Sequence, residues 1–103
     1  MQWTSIYIYT GSDRIILLNS YLKPLIRLLE DEKQINGYFY ILYNENGFHI
    51  RLRLKVTFNT NYVLCKAINI INKFFVDFPT GYIENRSPEY FPNDTVRIVP
   101  YEP

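Results

Sequence analysis

Residues 3–10 read WTSIYIYT, with Thr4, Ile6 and Ile8 on one side and Trp3, Ser5, Tyr7 and Tyr9 on the other. A period of two in β-branched and aromatic residues predicts a strand. Gly11 interrupts it, and Ser12 or Asp13 is suited to cap a following helix, since either side chain accepts from the orphan amides of a first turn. Over residues 14–33 the apolar positions Leu18, Tyr21, Leu22, Leu25, Leu28 and Leu29 recur at three- and four-residue steps. That spacing predicts an amphipathic helix, kinked or restarted by Pro24 and ended by Asn36-Gly37.

Residues 38–43 (YFYILY) are uniformly aromatic or aliphatic, the pattern of a central strand buried on both sides. Asn44-Glu45-Asn46-Gly47 reads as a turn, with Gly47 free to take a left-handed conformation. Residues 48–57 then alternate strictly, Phe48, Ile50, Leu52, Leu54 and Val56 against His49, Arg51, Arg53, Lys55 and Thr57. Asn59 or Thr60 can cap a second helix whose apolar stripe is Val63, Leu64, Ala67, Ile68, Ile71, Phe74 and Phe75. A loop over 79–94 leads to a last strand at 95–101. The order strand, helix, strand, strand, helix, strand predicts an α+β fold. Its form is a ferredoxin-like βαββαβ sandwich, with a four-stranded antiparallel sheet and two helices on one face, occupying 1–103 as one domain.

Composition adds bounds to this picture. With 48% hydrophobic and 20% charged residues the chain is globular rather than disordered, and a net charge of +1 gives no global attraction to nucleic acid or membrane. Binding preference must therefore come from where the charges sit. A single cysteine, Cys65, excludes an internal disulfide and fits a reducing compartment; its place beside the apolar stripe predicts a buried, inert thiol. No signal-peptide pattern and no apolar run of about 18 residues is present, so a cytoplasmic protein without membrane contact is expected. One histidine leaves a metal centre of several His or Cys ligands without material, and no phosphate loop or cofactor motif occurs.

The alternation at 48–57 points to chemistry. If the aliphatic set lies under the helices, His49, Arg51, Arg53 and Lys55 point to the uncovered face, beside Tyr7 and Tyr9 or the aromatic residues of 38–43. Alternate side chains on a strand lie about 6.5–7 Å apart, a spacing at which two guanidiniums can converge on one carboxylate. A charged strand face also serves simply as a solvated surface. An open aromatic face on this topology also suits an RNA reader. Here, however, the corresponding positions are His, Arg, Arg and Lys rather than a stacking platform, so nucleic acid is not the expected partner.

Three segments in order carry a family resemblance: the opening W-x-S-x-Y-x-Y strand, the helix YLKPLIRLLE, and GYFYILYNENGFHIRLRLK. Together with the closing VRIVPYEP they resemble the carboxy-terminal domain of lantibiotic dehydratases, also called the thiopeptide-type bacteriocin biosynthesis domain. His49-Ile50-Arg51-Leu52-Arg53 matches its H-[IL]-R-[LV]-R run. The resemblance implies a peptide-modifying enzyme. The activity is glutamate elimination from glutamylated Ser or Thr, or, in stand-alone members, pyridine formation between two dehydroalanines. It matches Arg51 and Arg53 to the arginine pair that the elimination enzymes use around the glutamyl carboxylate. Beside them His49 is taken as a further candidate for catalysis, and Tyr7, Tyr9, Lys55 and Tyr101 as candidates for substrate binding, with no cofactor expected. The family's later R-Y-G segment and distal histidine have no counterpart in the 103 residues. The expected partners are therefore a precursor peptide and a second subunit or further copy, with a non-catalytic leader-binding or subunit-binding module as the alternative. The start at Met1, directly before the first strand, tilts the expectation toward the stand-alone, pyridine-synthase branch.

Overall fold

A computed structural model of the protein describes residues 2–44, 47–81 and 92–100. The four expected strands form: β1 (Gln2–Tyr9), β2 (Ile35–Asn44), β3 (Phe48–Val56) and β4 (Thr95–Pro100). They form one antiparallel sheet in the order β2-β3-β1-β4, with the helices packed on one face, as the α+β reading expects. The stretch at 38–43 is not central, however. It lies in β2, at the edge, where Tyr38, Tyr40 and Leu42 remain exposed. A uniform run of large apolar residues cannot by itself separate a strand buried on two faces from an edge strand covered elsewhere.

The first helical stretch has three parts: α1 (Arg14–Ile16), a π-helical turn (Leu17–Leu22) and α2 (Lys23–Asp31). Asp13 caps its start, Oδ1 accepting from the amides of Ile15 and Ile16 at 2.9 and 3.2 Å. Pro24 has no N–H to give the preceding turn, and its ring crowds the carbonyl four residues back. The chain answers by widening that turn, so that the Lys23 amide reaches back five residues to Leu18 O. Leu17 and Leu22, five apart, are thereby both delivered to the core.

This helix ends at Asp31, earlier than Asn36-Gly37, which belong to β2. Lys33 takes the left-handed conformation (φ 59°) that ends it, with Gln34 N–H bonding Leu29 O at 2.9 Å and Lys33 N–H bonding Glu30 O at 3.0 Å. That pair of bonds is a Schellman cap, with lysine where glycine is usual. Helix α3 (Thr60–Asp77) is capped by Asn59, whose Oδ1 accepts from Tyr62 N–H at 3.0 Å. Its buried stripe is Val63, Ala67, Ile71, Phe74 and Phe75, which leaves Cys65 off the stripe and exposed rather than buried.

The core is the dry layer between sheet and helices: Ile6 and Ile8 of β1, Ile50, Leu52, Leu54 and Val56 of β3, and the inward leucines of α2, every one of them buried. Each such side chain contributes on the order of 1.5–3 kcal/mol. Two tyrosines pin the helix layer at opposite ends. Tyr21 OH donates to Asp77 Oδ2 at 2.6 Å, and Tyr62 OH donates to Glu32 at 2.8 Å. At the far end of the sheet, Thr80 donates through N–H and Oγ1 to Asp94, while accepting from Gly11 N–H at 2.8 Å. With Asp94 N–H bonded to Tyr9 O at 2.8 Å, this knot brings the chain beside β1 at the start of β4. Among the described residues, no helix is long and apolar enough to cross a membrane.

Candidate functional site

Antiparallel register turns the alternation into rows across the uncovered face. Pairing opposes Tyr43, His49, Tyr9 and Thr95; next Ile41, Arg51, Tyr7 and Arg97; then Phe39, Arg53, Ser5 and Val99. Trp3 and Lys55 close the series. None of these strand positions is Asp or Glu. The face is therefore cationic along β3 and aromatic on both flanks.

Arg51 sits at its centre. Its guanidinium carbon lies 3.6 Å from the Tyr43 ring centroid and 4.5 Å from that of Tyr7, so two ring faces hold it, one from each neighbouring strand. Its Nε–H donates to His49 Nε2 at 2.9 Å, while His49 Nδ1 lies 2.9 Å from Gly47 O. A carbonyl can only accept and Arg Nε–H can only donate. The imidazole is thus the neutral Nδ1–H tautomer, which bonds the turn on one side and the arginine on the other. Gly47 takes φ 103°, in the region that favours glycine, so the turn presents its carbonyl to this ring. His49 is 1% exposed, with Tyr9 stacked at 4.5 Å and Tyr43 at 5.9 Å between ring centroids.

The terminal amino groups of Arg51 make no hydrogen bond or ion pair among the described residues. Rings and imidazole hold the group still, while its two-pronged end remains available to a carboxylate. Arg53, also half-buried, has its guanidinium carbon 5.5 Å from the Phe39 ring, and Lys55 Nζ lies 6.0 Å from Trp3. Trp3 and Phe39 meet edge to face at 5.4 Å.

The structure thus brings six of the expected residues, His49, Arg51, Arg53, Lys55, Tyr7 and Tyr9, onto one face; Tyr101 lies outside the described residues. They are not equivalent in depth. Tyr9 and His49 are buried beneath the surface that Arg51 presents, whereas Tyr7 is half-buried against the guanidinium. The sequence left open whether Tyr7 and Tyr9 or the aromatic residues of 38–43 flank the β3 cations, and the structure uses both sides: Tyr43 and Phe39 from β2, and Tyr7 from β1. Arg97, which completes the row of Arg51 and Tyr7 from β4, escaped the sequence, because its place depends on the register between β1 and β4.

An α+β sandwich with helices on one face and a row of cations set against aromatic rings on the other is the class this geometry defines. The family model described as lantibiotic biosynthesis dehydratase, carboxy-terminal, matches residues 3–103, and the chain belongs to that family. Among solved structures the fold is similar to the pyridine synthase TbtD from thiomuracin biosynthesis, with TM-score 0.84 and 12% identity. That likeness covers 100% of this chain and 40% of that protein, so this chain spans well under half of its structural relative. A comparison with curated protein sequences gives no match.

Proposed function

We propose that the protein is a module for biosynthesis of a ribosomally made, thiopeptide-type peptide. In this reading it works as a piece or subunit of a pyridine synthase or elimination enzyme, and its open sheet face receives an anionic group of the modified precursor. One observation carries the reading. Within the H-x-R-x-R run of this family, Arg51 is immobilised by Tyr43, Tyr7 and His49, and its forked end has no hydrogen-bond partner among the described residues. Fixing a long side chain in advance removes the ordering cost of holding a carboxylate. A clamped cation also stabilises negative charge that develops on a leaving carboxylate or an enolate.

In this assignment Arg51 and Arg53 contact the substrate, with Tyr7 and Lys55 at the margin. His49 and Tyr9 are positioning residues, because the imidazole is buried with both nitrogens engaged. The described strand positions of this face carry no carboxylate, and the base for α-proton removal is assigned to a group outside them. An RNA reading gains no support, since the faces of Tyr7, Tyr43 and Phe39 that would stack bases carry arginine guanidiniums instead.

The test is reconstitution of peptide processing with the pathway's other proteins, comparing the parent chain with Arg51→Gln/Arg53→Gln. Loss of processing by about two orders of magnitude or more, with the fold intact by circular dichroism, is expected. Unchanged turnover would remove the arginine pair from the mechanism. Rescue of the parent only when a second polypeptide is added would assign this chain the role of a subunit.

A further inference from the structure

The helix layer has a recess of its own, on its solvent side and away from the cationic face of the sheet. A groove of about 590 Å³ runs between the first helical stretch and α3. Pro24, Leu25, Leu28 and Ile70 make its floor and flank apolar, and Lys66 and Asn69 stand on the α3 rim. The two tyrosine tethers close its ends, Tyr62 to Glu32 beyond Lys66 and Tyr21 to Asp77 beyond Lys73. Pro24 shapes one wall twice over. It lines the groove itself, and the π-helical turn before it (Leu17–Leu22) supplies Ser20 and Tyr21. Widened turns of this kind recur at ligand sites.

The charges on the rim are unequal. Lys73 Nζ is paired with Asp77 at 3.0 Å. Lys66 Nζ makes no ion pair among the described residues, and its contact is the Tyr62 ring at 5.5 Å. No Asp or Glu lines the groove, and the carboxylates at its two ends each accept from a tyrosine hydroxyl. Ser20 Oγ and the Asn69 carboxamide make no hydrogen bond among the described residues. A ligand therefore meets apolar surface, one uncompensated ammonium and two open polar side chains.

The dimensions decide the kind of ligand. From Lys66 to Lys73 is about 10 Å along the axis of α3. A partner helix confined to that span would have two turns, too few to hold itself together. The volume instead falls in the range of small-molecule sites. The lone ammonium beside apolar surface asks for an anion with a hydrocarbon body.

We propose that this groove binds a small amphiphilic carboxylate, its hydrocarbon along Leu25, Leu28 and Ile70 and its carboxylate accepting from Lys66 and Asn69. The site is separate from the sheet face assigned to the precursor and does not rest on that assignment.

The experiment titrates the full 103-residue chain, methyl-labelled at Ile and Leu, with octanoate. The Leu28 and Ile70 methyl resonances should shift saturably. Acetate, which has the carboxylate without the chain, should leave them unmoved. Hexanoate should bind about tenfold more weakly, since each buried methylene is worth about fourfold. Octanol should bind the parent about two- to fivefold more weakly than octanoate does, and Lys66→Gln should weaken octanoate by the same factor, the worth of an exposed ion pair. Lys66 is exposed, so this variant keeps the fold, and Lys66→Arg should restore affinity. Octanol binding as tightly as octanoate, or octanoate binding Lys66→Gln undiminished, would overturn the carboxylate assignment. Absence of a saturable shift up to about 10 mM octanoate would overturn the site. Methyl shifts that grow with protein concentration alone would give the groove to a second copy and overturn the proposal.

Discussion

The two faces of β3 are stabilised in different ways. Ile50, Leu52, Leu54 and Val56 form one side, each at most 3% exposed, held by area and close packing with no directional partner. His49, Arg51, Arg53 and Lys55 form the other, held by a hydrogen bond and by ring faces at defined distances. Loss of one group on the aliphatic side costs stability in proportion to the space vacated. On the cationic side the same loss chiefly changes where a neighbour points. Separating the two functions on alternate residues of one strand lets the site stay polar without weakening the core.

The largest effect that tests this contrast comes from the buried side. Leu52→Ala should lower stability by about 2–5 kcal/mol, measured by urea unfolding, because Leu52 is fully enclosed. His49→Leu comes next, at about 1–3 kcal/mol, since Arg51 Nε–H and Gly47 O each lose a buried partner. Beyond that cost it should release the Arg51 guanidinium, seen as faster exchange of its Nε–H resonance; His49→Gln, which keeps an acceptor, should restore part of the protection. An equally rigid Arg51 in His49→Leu would mean that the rings alone hold it, and the positioning role would be lost.

Lys33→Gly should act in the opposite direction, stabilising by up to about 1 kcal/mol in the same unfolding assay. Lys33 holds a left-handed conformation that glycine adopts without steric cost. The smallest effects are the surface tethers of the helix layer. The Tyr21 hydrogen bond to Asp77 raises the tyrosine pKa, and the bond to Glu32 does the same for Tyr62. A raised folded value means the contribution is complete below the ordinary tyrosine range and disappears as pH climbs through the folded values. Asp77 is held low, first by the Tyr21 hydroxyl and then by Lys73, so its contribution is present above about pH 4 and fades as pH falls through the depressed value. Thermal unfolding followed against pH should therefore show both limbs, and Tyr21→Phe should flatten each of them; an unchanged profile would mean the tether is not formed in solution.

The order of elements, a pair of cap candidates at each helix start, the left-handed Gly47 and the two faces of β3 were all written in local pattern; Glu45 and Asn46 of the expected turn lie outside the described residues. Capping chemistry and side-chain alternation act within a few residues, so the chain itself carries them. The arginine pair was legible for the same reason, as was its link to the family run. What the pattern could not state was anything that depends on which strand lies beside which. The aromatic stretch at 38–43 became an edge because β3 and β1 occupy the centre, and Cys65 turned outward because the stripe of α3 is set by its contact with the sheet. The end of α2 at Lys33 broke the local rule that glycine stops helices; the close of β3 over it, through the Thr57 amide on Gln34 O at 2.9 Å, holds the lysine there. The burial of His49 and the clamp on Arg51 belong to the same class. They need Tyr7, Tyr9 and Tyr43, which come from two other strands and are brought together only by the antiparallel register. Sequence determined which side chains share a strand face, because that is a matter of a two-residue period; tertiary structure alone decided what they touch, because contact across strands is a matter of register.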